Sequence, residues 1–203
     1  GTAKKPSRLV RLESLGWDGT DDETKAKFNA FLRSLSDDGI EIVSRNDDPD
    51  IEAFEIMLRT IPDFLRDMFC WEMQWPGKMQ RDKGEMYISE GVLDRIAHGE
   101  TMTIEDYRRC LDMRQALRDS FETVRGKGDA FILLSAQGPA PLASAGIGNP
   151  VYGDVTSCLG SPGYNLPLLE DSGMPMGVQI MGFPHEDFAL GHIGKWLSER
   201  SLV

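Results

Sequence analysis

The chain has 203 residues, of which 40% are hydrophobic and 27% are charged, a composition typical of a globular domain and not of a disordered segment or a coiled coil. Its 33 acidic and 22 basic side chains give a net charge of −11, which argues against nucleic acid as a partner. No apolar run approaches the ~18 residues of a membrane-spanning helix, and no signal peptide is recognisable, so we expect a cytoplasmic protein without a membrane partner.

Residues 1–49 predict a strand–helix–strand unit. Residues 8–12 and 40–43 are strand-like, and Thr20 with Glu23 has the spacing of a capping box that starts the helix between them. Gly39 supplies the left-handed residue that ends this helix. The apolar face of the helix repeats at helical spacing: Phe28, Phe31, Leu32 and Leu35.

Residues 50–128 predict a helical segment. Apolar spacing indicates a helix over about 50–69, which Pro62 should kink or divide, and a helix that continues into a loop over 70–84. A cluster of large side chains in that stretch, Trp71, Met73 and Trp75, suits core or interface packing more simply than a ligand wall.

Two further helices follow in the same segment. Ser89 starts a short helix that ends at His98 and Gly99. There the partial negative charge of the helix C-terminus would favour a cationic imidazole. Thr103 with Asp106 starts a long one that continues to Val124.

Residues 129–203 contain two apolar strands, a Gly/Pro-rich stretch and a terminal helix. The strands at 130–134 and 177–182 are largely apolar, as in a parallel sheet covered on both faces, and 186–197 predict the helix. The stretch 135–177 contains eight glycines and six prolines but also many leucines, which favours packed irregular backbone beside a site. The fold class is therefore α/β.

Single residues carry no reaction on their own. Cys158 could form a thiolate–imidazole pair with His185 or His192, but a cysteine is more simply buried, and His192 borders an apolar face. The three scattered cysteines have no CxxC spacing, which indicates reduced thiols and no metal site.

Three motifs in order resemble the C-terminal part of the amidase signature family. Asp129–Leu134 is similar to the family's strand of the form D-x-(apolar run). Residues 156–167 are similar to its N-x-x-G-x-P turn, and 172–182 to its G-L-P-x-G-x-Q strand. Residues 8–45 also look like its mid-chain segment, whereas about 50–107 resemble it weakly. Two departures stand out: Ser135-Ala136 replaces a Pro-Thr pair, and Met174 replaces the Leu of G-L-P.

The resemblance implies a mixed, largely parallel sheet flanked by helices, with 1–203 as a single C-terminal portion of an amidase domain. It also implies hydrolysis of carboxamide C–N bonds through an acyl-serine intermediate, without a metal or organic cofactor. The family's chemistry uses a serine, a second serine at a cis peptide and a lysine. No Gly/Ser-rich run of that kind occurs in this chain, so we expect the triad to lie outside it and no catalytic residue within it.

Carried over by position, Met176 and Ile180 are candidates for the wall of the acyl pocket, and Gln137 for a polar contact to substrate. Plain core packing explains the three equally well. The expected partners are a small amide substrate and either the missing N-terminal half or a second copy of the chain. Two alternatives stay open: a non-catalytic α/β binding or scaffold module derived from the family, and a hydrolase based on Cys158.

Overall fold

The computed structural model describes residues 1–146 and 148–200. Its strands are β1 (Arg8–Arg11), β2 (Glu41–Val43), β3 (Ala130–Leu134), β4 (Gly163–Asp171) and β5 (Met174–Met181). Its α-helices are α1 (Asp22–Asp37), α2 (Pro49–Leu58), α3 (Ile61–Arg81), α4 (Glu90–Thr101), α5 (Ile104–Thr123), α6 (Val151–Leu159) and α7 (Asp187–Arg200). No helix among these residues is long and apolar enough to cross a membrane.

The strands form one mixed sheet in the order β2-β1-β3-β5-β4. β1 is parallel to β2 and to β3, whereas β5 is antiparallel to both β3 and β4. The α/β class and the mixed, helix-flanked sheet are confirmed, but the pairings divide evenly between parallel and antiparallel. The strand predicted at 177–182 as part of a parallel sheet is instead antiparallel to β3. On its other side it forms a hairpin with β4, since a tight turn joins only antiparallel neighbours.

The strand–helix–strand unit at the start of the chain is confirmed, with β1 and β2 paired and α1 between them in sequence. The cap of α1 is Asp21 and not Thr20, because the Asp21 Oδ1 accepts the Thr24 N–H at 2.7 Å. The Thr20 hydroxyl instead donates to the Gly16 carbonyl oxygen at 2.9 Å. Gly39 adopts φ +83° just beyond the helix, as predicted.

The helix predicted over 50–69 is divided in two, since α2 ends at Leu58 and Pro62 lies in the first turn of α3. The loop expected within 70–84 forms only after Arg81, because α3 continues through Pro76. Trp71 on α3 stacks on Tyr107 with ring centroids 5.4 Å apart, which supports packing as its role.

The predicted end of α4 at His98 and Gly99 is wrong, because the helix continues to Thr101. His98 Nε2 lies 2.7 Å from the Asp67 Oδ1, so the imidazole bridges to α3 and does not cap its own helix. A Cβ on Gly99 would lie 2.2 Å from the Cys70 carbonyl oxygen, so this glycine permits close approach of α3 and α4.

The capping box at the start of α5 is confirmed. The Thr103 N–H donates to the Asp106 Oδ2 at 2.9 Å, and the Asp106 N–H donates to the Thr103 Oγ1 at 3.2 Å.

The Gly/Pro-rich stretch is more regular than predicted, since it contains α6, β4 and the start of β5. Ser172 and Gly173 have φ of +51° and +79°, the two left-handed residues that a type I′ hairpin turn needs. Gly160, at φ +69°, ends α6.

Helices cover both faces of the sheet. On one face, four aromatic rings from α2, α5, β3 and the segment after β5 pack together: Phe54, Phe121, Phe131 and Phe183. The next residue of β3, Ile132, faces the opposite side and pairs with Ile180, which lies under α7. All five residues of β3 are buried, which explains their uniformly apolar sequence.

The chain divides into two compact units. Residues 60–119 form one unit, which contains α3, α4 and most of α5. The residues before and after it form the other, which contains the whole sheet. The smaller unit falls within the 50–128 helical segment predicted from the sequence.

Candidate functional site at the carboxyl edge of the sheet

The C-terminal ends of β1 to β4 and the start of β5 meet at one edge of the sheet, which we term the carboxyl edge. In α/β proteins, ligands bind outside the carboxyl ends of the strands, because loops there can vary without disturbing the sheet. The segments that meet at this edge include residues 12–21, the loop after β3 and the β4–β5 turn.

Ser135 is the first residue beyond β3 at this edge. Its hydroxyl donates to the Asn165 Oδ1 at 2.9 Å, and its N–H donates to the Gly177 carbonyl oxygen at 3.0 Å. A Cβ on Gly177 would lie 2.6 Å from the Ser135 Oγ, so the serine and the glycine fit one another. Ser135 therefore links β4 and β5.

Gln137 lies in the loop that follows, half-buried. Its Nε2 donates to the Gly16 carbonyl oxygen at 3.1 Å and would lie 2.3 Å from a Cβ on Gly19. No described residue forms a hydrogen bond to its Oε1. The amide therefore fixes the loop to residues 16–19 and keeps one acceptor available.

Tyr152 on α6 was not anticipated from the sequence. Its side chain is fully buried, and its hydroxyl lies 2.9 Å from the Thr20 Oγ1. Because Thr20 already donates to the Gly16 carbonyl oxygen, the tyrosine is the donor. A Cβ on Gly16 would lie 2.2 Å from the Tyr152 ring, so the ring packs directly against this segment. Burial raises the pKa of Tyr152 to about 12, so the hydroxyl stays protonated and holds residues 16–20 in place.

Lys27 on α1 forms an ion pair at the same edge. Its Nζ lies 2.5 Å from the Asp171 Oδ1 and 3.0 Å from the Glu23 Oε1. The hydrogen bond to Asp171 is the main cause that raises the pKa of Lys27 and lowers that of Asp171. The lysine is therefore a cation that links α1 to the end of β4.

A buried carboxyl, that of Glu55 on α2, lies beneath the segment that follows β1. Its Oε1 accepts the Glu13 N–H at 3.1 Å, and its Oε2 lies 3.6 Å from an Arg45 guanidinium nitrogen. Burial raises its pKa. The sequence did signal this residue, because Glu55 falls on the apolar face of α2 between Ile51 and Leu58.

The three residues predicted to bind substrate do not cluster. Met176 lies on β5 opposite Leu169 near the carboxyl edge, and its side chain is 2% exposed. Ile180 shares its face but lies four residues, about 13 Å, further along the strand. The Ile180 side chain is fully buried, with its Cδ1 3.3 Å from a Cβ on Gly194 of α7. Gln137 and Met176 thus lie toward the carboxyl edge, and Ile180 lies in the core beneath α7.

The hypothesis of a hydrolase based on Cys158 requires an accessible thiol. Cys158 lies on α6 with no solvent exposure, whereas His185 precedes α7 and His192 lies on it. A thiol without exposure does not suit a nucleophile that must reach a substrate. Among the described residues, no three His, Cys, Asp or Glu side chains are grouped as metal ligands.

Comparison with solved structures identifies the fold. A crystal structure of an amidase superposes with a TM-score of 0.82 at 22% identity, over 98% of this chain and 46% of the amidase. The allophanate hydrolase of Kluyveromyces lactis superposes with a TM-score of 0.74 at 16% identity, over 97% of this chain and 32% of its own. A bacterial aryl acylamidase described as a member of the amidase signature family superposes with a TM-score of 0.60 at 13% identity, over 97% and 44%.

At the level of sequence, no family model and no curated protein matches the chain. The comparison therefore rests on structural similarity, which agrees with the three motifs identified in the sequence. The chain shares the fold of the amidase signature enzymes and spans less than half the length of these three relatives.

Proposed function

We propose that this chain is the C-terminal portion of an amidase-signature hydrolase that cleaves carboxamide C–N bonds through an acyl-serine intermediate. The observation that carries the proposal is the superposition of 98% of this chain on 46% of an amidase. More than half of that amidase has no counterpart here. In the proposed enzyme, the nucleophilic serine and its proton relay lie in the part outside these 203 residues.

The ionisation of Lys27 and Lys127 makes these two lysines unsuitable as the base of such a relay. A lysine that accepts a proton from a serine needs a lowered pKa, which burial away from carboxylates provides. Lys27 and Lys127 instead have raised pKa values, because each is hydrogen-bonded to carboxylates: Lys27 to Asp171 and Glu23, Lys127 to Asp48 and Asp50. Both ammonium groups suit structural ion pairs and not a proton relay.

The proposed contribution of this chain is part of the acyl pocket. Met176 would supply apolar wall near the carboxyl edge, and Ile180 would support that wall from the core. Gln137 would accept a hydrogen bond from the substrate amide through Oε1, while its Nε2 stays bound to Gly16. An apolar pocket with one oriented polar contact is typical of sites for small amides and other drug-sized ligands.

We further propose a reducing, cytoplasmic compartment, without a nucleic-acid or membrane partner. Cys70, Cys110 and Cys158 are all buried thiols, which is usual where thiols are kept reduced.

The test combines the size of the native protein with the location of its reactive serine. An antibody raised against this chain would be used to measure the native mass in the source cells and to isolate the protein. A serine-directed fluorophosphonate probe would then label the isolated protein, and mass spectrometry would locate the labelled peptide. We expect a species of about twice 22.6 kDa, a label outside these residues, and ammonia release from simple carboxamides.

The isolated chain serves as the control and is expected to release no ammonia. A native species of 22.6 kDa with no labelled partner subunit would contradict the proposal and favour the non-catalytic module. A label on a serine of this chain, or turnover by the isolated chain, would contradict the proposed position of the triad.

A further inference from the structure

A cavity of about 670 Å³ lies within the unit of residues 60–119, separate in sequence from every segment of the carboxyl edge. We term it the α3–α4 cavity. It is lined by Met73, Pro76, Gly77, Gln80, Lys83, Gly84, Tyr87, Ile88, Ser89, Val92 and Ile96. Its volume lies in the range of sites that hold drug-sized ligands, about 300 to 1,000 Å³.

Two glycines shape the α3–α4 cavity. A Cβ on Gly77 would lie 2.6 Å from the Ile96 Cγ1, so α3 and α4 are in close contact at this point. Beyond it, Gly84 adopts φ +148°, a conformation that favours glycine, and the chain turns there toward α4. The helices therefore meet at the floor of the cavity, and the connection between them forms one wall.

The lining combines an apolar surface with one charge. Met73, Val92 and Ile96 contribute apolar side chains from both helices, and Tyr87 lies at the rim with 83% of its surface exposed. Lys83, which is exposed, is the one lining residue with a charged side chain. Gln80 and Ser89 add polar groups beside it.

We propose that the α3–α4 cavity binds a small amphipathic carboxylate, with its hydrocarbon chain against Met73, Val92 and Ile96 and its carboxylate beside Lys83. An apolar lining binds hydrocarbon because contact removes both surfaces from water. A single ammonium selects an anionic head group over a neutral one. This site is independent of the proposed amidase activity.

The test uses the purified chain and decanoate, with decan-1-ol as the neutral comparator, in isothermal titration calorimetry. Val92→Trp would place an indole ring in the cavity against Met73 and Ile96, and we expect it to weaken decanoate binding at least tenfold. Ala97→Trp is the matched control, because Ala97 is exposed on the same helix and does not line the cavity. Circular dichroism of both variants checks that the helices are retained.

A second pair of variants tests the head group. Lys83→Met should weaken decanoate binding about twofold to fivefold, the effect of an exposed ion pair, and leave decan-1-ol binding unchanged. Lys78→Met, outside the lining, should change neither. If titration with decanoate gives no heat of binding, or if Val92→Trp and Ala97→Trp weaken decanoate binding equally, the proposed binding site is refuted. Equal binding of decanoate and decan-1-ol would refute the proposed preference for a carboxylate. If the chain binds neither compound but forms a dimer that Val92→Trp abolishes, the surface is the contact with a second copy of the chain.

Discussion

Two glycines of α4 should respond in opposite directions to the same substitution. Gly99→Ala places a Cβ 2.2 Å from the Cys70 carbonyl oxygen, a backbone atom that cannot rotate away. Gly91→Ala, near the start of the same helix, meets nothing within 4 Å. The two substitutions change the same atoms in one helix, so their difference isolates the contact between α3 and α4.

The expected magnitudes follow from packing and helix propensity. Overpacking costs about 1–3 kcal/mol, whereas replacing glycine by alanine in a helix gains up to about 1 kcal/mol. Gly99→Ala should therefore lower the free energy of unfolding by about 1–2 kcal/mol. Gly91→Ala should raise it by up to about 0.5 kcal/mol, the smaller gain expected at a helix end.

Urea unfolding followed by circular dichroism measures both changes, and hydrogen exchange of peptides from 60–119 locates them. We expect faster exchange in α3 and α4 for Gly99→Ala alone. If the two variants shift the urea midpoint by the same amount and in the same direction, the close approach of the helices at Gly99 is refuted.

Four further substitutions test the carboxyl edge and the buried acid. Thr20→Val should lower the free energy of unfolding by about 1–3 kcal/mol, because it leaves the buried Tyr152 hydroxyl without its acceptor. Tyr152→Phe should lower it less, by about 0.5–1.5 kcal/mol, and chemical denaturation would measure both changes. Lys27 lowers the pKa of Asp171, so the carboxylate stabilises the fold above its unfolded pKa, and this stability is lost as the pH falls through its folded pKa. In Asp171→Asn, the melting temperature should therefore fall less steeply below about pH 4 than it does in the parent protein. Glu55 has a raised pKa from burial, so the native state loses stability as the pH rises from about 4.3 toward its folded pKa. Glu55→Gln should therefore gain melting temperature relative to the parent between pH 4 and pH 7, and a difference independent of pH would contradict the burial cost.

Elements with strong periodicity were predictable from the sequence. The apolar face of α1 and the five apolar residues of β3 carry their own signal, because burial alone dictates their side chains. The capping box at Thr103 is likewise local, since both of its hydrogen bonds join residues three apart.

The hairpin β4–β5 and helix α6 were not predictable in the same way. β4 is an edge strand with many exposed side chains, and Pro167 interrupts its apolar residues, Leu166, Leu168 and Leu169. Its identity depends on pairing with β5 and on the turn at Ser172 and Gly173. A Gly/Pro-rich composition indicates loops, but here Gly173 serves a hairpin turn and Gly160 ends a helix.

The candidate site depends on contacts between residues far apart in sequence. The hydrogen bond from Gln137 to Gly16 joins residues 121 positions apart, and the one between Tyr152 and Thr20 joins residues 132 apart. No local pattern encodes such pairs. Position in a motif nominated Gln137, Met176 and Ile180 together, whereas it could not reveal that Ile180 lies in the core beside α7.

The placement of residues 60–119 between the two parts of the sheet unit sets an order of events during synthesis. β1 leaves the ribosome before its neighbour β3, which is about 120 residues further on, and β5 follows only after another 40 or so. Residues 60–119 need only local contacts and can fold while β1 still waits for its partners. Once folded, they shorten the length of flexible chain between β1 and β3 and so reduce the loop-closure entropy of that pairing. The helices of residues 60–119 therefore favour the pairing of β1 with β3 while the protein is being synthesised.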